Sequence, residues 1–380
     1  MCLGARGRAG EDVLSRCPGY SEGVPMPETM KTAVFHGRMD ISLEECERPH
    51  AKGNKVLVKV DCCALCTWEQ RVYTGVNKVE HPFIGGHEIS GEIVGLGDDV
   101  NPDEWAVGDK VVVGNTLPCG DCYYCKTFEE QSCAHFDHGA QLEGLPYHGM
   151  GGLSEYMLVT THCLFKYRNV TPQEASIVEP LSCVVHSVET ADIQLGDYVL
   201  VIGCGIMGQL HVQVAKKRGA VVIVSDINRE RTVLARRYGA DYAIDPSKES
   251  LTERVLELTH GLKCQAVFDT TPFPSVLKDA YTCVANVGKV ILYSSIHPKP
   301  GEEKLVPVDA GWMHSWSIKT LGTANSNSRD FVRAVAMVSE GVIDLKPYVS
   351  GTYHESQVKE AFDKAIEGAS YRVVVNFDGK

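Results

Sequence analysis

The apolar run Tyr198-Val199-Leu200-Val201-Ile202 ends on Gly203-Cys204-Gly205-Ile206-Met207-Gly208 and passes straight into a segment with helical spacing, Leu210, Val214 and Ala215. No other feature of this chain narrows its fold as much. Three glycines so spaced are weak evidence alone, but a strand before them and a helix after them is the setting a dinucleotide fold requires. There the first glycine makes the tight turn and the second lets a pyrophosphate approach the backbone. The third brings helix and strand together, with the helix N-terminus facing the phosphates. Ile206 and Met207 lie inside the same loop and count with the cofactor-binding residues. Asp226 closes the next strand, eighteen residues after Gly208, where a carboxylate accepts ribose hydroxyls. Arg229 and Arg231 follow it, and either, turned inward, would offset part of the Asp226 charge; Arg231 is included in the candidate set.

From Asp197 onward the chain alternates strand-like runs (Tyr198–Ile202, Val221–Ser225, Tyr242–Ile244, Ala266–Asp269, Lys289–Tyr293, Ile318–Leu321) with helical stretches such as Met207–Arg218 and Arg229–Tyr238. Repeated βα units with buried strands predict an α/β fold with a doubly wound parallel sheet. Before Val159 the apolar runs are short and separated by Gly, Pro and Asn-rich turns, as in a β-rich unit. A chain of 380 residues exceeds what one core usually serves, so more than one domain is expected. The division drawn is an extension at 1–29, a β-rich unit at 30–183, a nucleotide-binding unit at 184–322 and a C-terminal segment at 323–380. The extension reads as flexible, or as a stretch ahead of a natural start near Met26 or Met30.

Cys119-x2-Cys122-x2-Cys125-x7-Cys133 is the strongest metal signal. Four thiolates at these intervals close a tetrahedral cage with no open position, the mark of a structural zinc. A zinc ribbon that binds nucleic acid is the competing reading. It is weakened by Asp121, Glu129, Glu130 and Asp137, which outnumber the nearby Lys126, and by a net charge of −12, which repels a phosphate backbone. Fifteen cysteines in a long chain without an apolar leader point to a reducing cytoplasm rather than a disulfide framework. No run of about 20 apolar residues is present to span a membrane. Cys66, the pair His87-Glu88, and Glu179 are scattered further ligand types; one thiolate, one imidazole and a carboxylate with space left for substrate make a catalytic zinc set, although spacing alone does not assemble it.

With these residues in view the chain resembles the zinc-dependent medium-chain dehydrogenase/reductase family, in its sorbitol (polyol) dehydrogenase-like branch. The family pattern G-H-E-x2-G-x5-G-x2-V is met by Gly86, His87, Glu88, Gly91, Gly97 and Val100. The four-cysteine lobe, Gly152-Leu153-Ser154-Glu155-Tyr156, Glu179-Pro180-Leu181 and the Gly203 turn follow in the family's order. The resemblance runs from about Met30 to the C-terminus. It implies a GroES-like catalytic domain interrupted by a Rossmann domain, two zinc ions per chain, NAD, a homodimer or homotetramer, and oxidation of a small-molecule alcohol in the cleft between domains. It carries Cys66 and His87 over as catalytic zinc ligands, with Glu88 and Glu179 as carboxylates able to bind zinc or its water, and Glu69 as the residue that orients His87 from behind.

Two positions depart from the pattern. Relatives carry Ser or Thr two residues after the cysteine as the first stop of a proton relay; here Trp68 stands there, and Thr67 is one place early. Threonine dehydrogenases carry His where this chain has Arg71. An aromatic plane beside a cation suits a hydroxylated ring better than a plain alcohol, so the expected substrate is a polyol, cyclitol or sugar derivative. A threonine-type amino alcohol, or butanediol and aliphatic alcohols, are the alternatives. A relative that only binds nucleotide would need a broken ligand set.

Overall fold

The computed structural model describes residues 28–114, 118–297 and 303–377. All but the end of the extension at 1–29 lies outside them, and Thr29 already belongs to the first strand, Thr29–Gly37. That strand forms a hairpin with Asp40–Glu47.

Six strands form a wholly parallel sheet in the order Tyr242–Ile244, Val221–Ser225, Tyr198–Ile202, Cys264–Asp269, Val284–Leu292, Lys319–Gly322. Counted along the chain this is 3-2-1-4-5-6, the doubly wound order whose reversal point lies beside the first strand. The sequence dictates it: Val199 to Ile202 and Val222 to Val224 are buried runs that need cover on both faces. The helices Ile206–Lys217, Arg229–Arg237 and Leu251–Leu258 supply part of that cover. The irregular stretch before Ile318 holds one more helix, Ala310–Trp316.

The second sheet has seven strands. Its path runs Val349–His354, Arg372–Asn376, Lys55–Ala64, Glu88–Leu96, Lys110–Val113, Leu164–Lys166, with Tyr156–Thr160 also pairing Lys55–Ala64. Residues from the two ends of the chain thus share one sheet. Arg372–Asn376 runs antiparallel to Lys55–Ala64, Val374 opposite Ala64. Between the sheets runs the helix Val178–Ala191, with Leu181, Val184 and Val188 buried.

Candidate active site

Strand register assembles the first cluster. Lys55–Ala64 and Glu88–Leu96 are antiparallel with Ala64 opposite Glu88. Cys66, two residues beyond one strand, and His87, one before the other, therefore meet at the same edge. Cys66 is the N-cap of the helix Thr67–Tyr73, but its side chain makes no capping hydrogen bond and is left for other work. Gly86 stands at φ 97°, and a Cβ there would lie 2.5 Å from the amide nitrogen of Leu153, so no side chain fits beside the histidine.

Ligand atoms of Cys66, His87 and Glu88 all lie within 4.8 Å of one another. Glu69 reaches His87 from behind: its Oε1 accepts from His87 Nδ1 at 2.6 Å and from the Gly86 amide at 3.1 Å. With the Nδ1 proton so placed, Nε2 keeps its lone pair for a metal. Burial, with the Glu88 charge beside it, pushes the Cys66 thiol up; a bound cation would reverse this by stabilising the thiolate. One half-buried thiol, with an imidazole and a carboxylate that are buried, fits a zinc ion.

Glu88 is not idle without a metal. Arg372 donates Nε to Glu88 Oε2 and Nη2 to Oε1, each at 2.8 Å, and both side chains are almost wholly buried. Glu179 lies outside the group of three. It sits in the first turn of Val178–Ala191, where Oε1 accepts the Cys183 thiol at 3.3 Å. Burial, opposed by His87 and reinforced by Glu88, pushes its carboxyl up to about 7. Trp68 is half-buried and stacks on His138, centroids 5.1 Å apart and planes 12° apart, so one face of the indole is already covered. Sequence reasoning did not find Arg372 or His138. A lone charge in the apolar strand Arg372–Asn376 was the available signal for the first, because a charge is rarely fully buried unless paired.

The four-cysteine lobe also forms. Its sulfurs stand 3.5 Å (Cys122–Cys125), 3.9 Å (Cys122–Cys133) and 4.0 Å (Cys119–Cys125) apart. A tetrahedron with metal–sulfur bonds of about 2.3 Å has edges of about 3.8 Å, so these spacings fit a zinc cage and are far too long for a disulfide. Backbone donors from Cys125 and Ala134 bring the Cys122 thiol down to about 6, toward the thiolate a metal needs. The lobe also reaches a distant helix: Glu130 Oε2 accepts the amide of Ser328 at 2.9 Å, at the start of Ser328–Ser339. Cys122→Ser should therefore remove one zinc per chain and lower the unfolding midpoint by roughly 5–10 °C, the shift that a loss of about 3 kcal/mol produces in a domain of some 200 residues. Two zinc ions per chain in the variant, with an unchanged midpoint, would refute the cage.

At the nucleotide loop the three glycines act separately. A side chain on Gly203, at φ 94°, would meet Thr271 Cγ2 at 2.7 Å, and one on Gly208 would lie 1.9 Å from the Gly203 carbonyl oxygen. Gly205, the N-cap of Ile206–Lys217, has nothing within 4 Å of its would-be Cβ. That opening over a helix N-terminus fits a pyrophosphate. Asp226 follows the second strand of the sheet, and its oxygens accept the amides of Cys204 and Asn228 at 2.7 Å each, leaving lone pairs for further donors. Ile206 is buried and Met207 packs on the core beside it. Arg231 turns away: its Nη2 donates to the Gly368 carbonyl at 2.9 Å.

The chain belongs to the zinc-binding alcohol dehydrogenase family. Residues 52–169 match the alcohol dehydrogenase GroES-like domain and residues 207–340 the zinc-binding dehydrogenase domain. It is 30% identical over 355 residues to the NAD-dependent alcohol dehydrogenase of Sulfolobus acidocaldarius, covering 89% of this chain and 97% of that one. It is 28% identical over 358 residues to the D-arabitol-phosphate dehydrogenase of Enterococcus avium, covering 92% and 98%. Among solved structures, an alcohol dehydrogenase of E. coli CFT073 complexed with NADH superposes with a TM-score of 0.80 at 26% identity, covering 92% of this chain and all of that one. The chain is thus an oxidoreductase with a GroES-like and a Rossmann-type domain, using zinc and NAD(P). No helix among the described residues is long and apolar enough to cross a membrane.

Proposed function

We propose that this enzyme transfers hydride between NAD and a secondary alcohol of a polyol, cyclitol or sugar derivative. The observation that carries the reading is the meeting of Cys66, His87 and Glu88 at one sheet edge, with Glu69 holding His87 in the metal-binding tautomer. When bound, zinc supplies Lewis acidity at the substrate oxygen and the nicotinamide supplies the hydride acceptor. The protein's part is placement. Cys66 and His87 would hold the metal, with Glu88 or Glu179 as the carboxylate that would complete the set. Glu179 Oε1, in a carboxyl held near 7, is a group able to take up the alcohol proton at neutral pH. Trp68 stands where the relay hydroxyl is expected, which disfavours the threonine-type alternative, and simple alcohols lack a neighbouring hydroxyl to hand on the proton.

The boundaries at 183 and 322, a cytoplasmic location, association into a homodimer or homotetramer and the absence of a nucleic-acid partner belong to the same reading. The test is NADH formation from cyclohexanol, cyclohexane-1,2-diol, inositols and open-chain polyols. Ethanol and cyclohexanol turning over as efficiently as the polyols would end it.

The cofactor preference is separately testable. A 2′-phosphate charge about 4 Å from Asp226, at an effective dielectric near 20, meets roughly 4 kcal/mol of repulsion before screening reduces it. Arg231, held by Gly368, is not turned to offset it. Catalytic efficiency with NAD should exceed that with NADP by at least about tenfold, and Asp226→Asn should narrow the gap. Equal efficiency in the unmodified enzyme would refute the role of Asp226.

A further inference from the structure

The carboxyl ends of the parallel strands lie in one row: Ser225, Ile202, Asp269, Leu292 and Gly322 stand side by side in register. The next residue of each strand, Asp226, Gly203, Thr270, Tyr293 or Thr323, therefore stands at the edge of the crevice in which a doubly wound fold holds its ligand. Asp226 and Gly203 belong to the adenosine side. Tyr293 and Thr323 follow the fifth and sixth strands along the chain, in the other mononucleotide half, which receives the nicotinamide.

Both are held from behind by His211, which is wholly buried in the helix Ile206–Lys217. Its ring stands edge-on to Tyr293, centroids 4.7 Å apart and planes at 80°, and its centroid lies 4.7 Å from that of Phe268. Nδ1 is 2.7 Å from the Met207 carbonyl, which only accepts, so Nδ1 carries the proton. Burial, against the pull of that carbonyl, pushes the imidazole down to about 4, so at neutral pH Nε2 is an acceptor. The Ser187 hydroxyl donates to Nε2 at 3.0 Å, and the Thr323 hydroxyl donates to Ser187 at 3.2 Å. Ser187 is also wholly buried, on the helix Val178–Ala191 that carries Glu179. Each bond in this set has one direction only, and removing any member strands a buried donor or acceptor. Such a satisfied set rigidifies what it touches, whereas apolar side chains would fill the same space without that penalty.

We infer that His211 is a positioning residue for the nicotinamide end of the cofactor. By its contact with Tyr293, and through Ser187 to Thr323, it fixes the edge of the crevice at the ends of the fifth and sixth strands. The adenosine end rests on Asp226 and the glycine loop, so the two ends of the cofactor should respond differently when the set is broken.

Isothermal titration of the zinc-loaded enzyme with NAD and with ADP-ribose, which ends at the second ribose and lacks the nicotinamide, tests this on His211→Leu and Thr323→Val. His211→Leu should weaken NAD at least about tenfold, the order of one buried hydrogen bond left unmade, and ADP-ribose by no more than about twofold. Should His211→Leu fail to fold, the nearly isosteric Thr323→Val makes the same comparison, with a loss of about threefold on NAD. Equal weakening of NAD and ADP-ribose overturns the assignment, because the buried set then only holds the nucleotide domain together. Unchanged NAD binding in the variants overturns it as well, as does no measurable NAD binding by the unmodified enzyme. No alcohol enters the titration, so these outcomes stand apart from the polyol reading.

Discussion

Cys66→Ser should yield a folded protein holding one zinc fewer per chain and turning over polyols at least about a thousandfold more slowly, equivalent to roughly 4 kcal/mol of lost barrier lowering. The fold should survive because the Cys66 side chain makes no capping hydrogen bond, and the helix it precedes is anchored by buried Glu69, Val72 and Tyr73. Metal analysis, the thermal midpoint and NADH formation together decide. A variant that loses the zinc and keeps its rate would remove Cys66 from the mechanism. One that keeps both zinc ions while losing the rate would assign it some role other than ligation.

Arg372→Leu should cost about 3–5 kcal/mol of stability, because it leaves the buried Glu88 carboxylate without its partner. A thermal midpoint lower by roughly 10 °C is the expected reading. The double variant Glu88→Leu/Arg372→Leu should recover much of the loss, since a buried pair replaced by apolar groups of similar volume is often neutral. If the double variant is no more stable than the single one, Arg372 contributes through packing and not through the charge it neutralises.

These two residues also show where sequence reading succeeds and where it stops. Cys66, His87 and Glu88, whose ligand atoms the fold brings within 4.8 Å, were legible as candidates because His87-Glu88 lies in a glycine-rich pattern and the order of motifs is specific. The nucleotide loop and the four-cysteine lobe were legible because each is local: its geometry is contained in a few consecutive residues. The parallel sheet followed from buried apolar runs alternating with helices, with ends displaced by only a few residues. Arg372 was not legible, because it meets Glu88 across 284 positions and only the pairing of Arg372–Asn376 with Lys55–Ala64 brings them together. The stack of His138 on Trp68 is likewise a product of tertiary packing, which no periodicity encodes. Arg231 had the right place in sequence, and its hydrogen bond to Gly368 was invisible there.

The sharing of one sheet by both ends of the chain has a consequence for biosynthesis. A ribosome adding about 5–20 residues per second needs roughly 15–60 s to travel from Glu88 to Arg372. During that interval the edge of Lys55–Ala64 that will receive Arg372–Asn376 has no partner, and Glu88 has no counter-charge with which to be buried. The six-stranded parallel sheet, by contrast, draws all its strands from 198–322 and is complete before residues 323–380 have been made. The nascent protein therefore builds its nucleotide platform first and carries an open, charged sheet edge beside it until Arg372–Asn376 has been made. Exposed strand edges of this kind recruit other chains, so a nascent chain is most open to mispairing at Lys55–Ala64 before Arg372–Asn376 has been made.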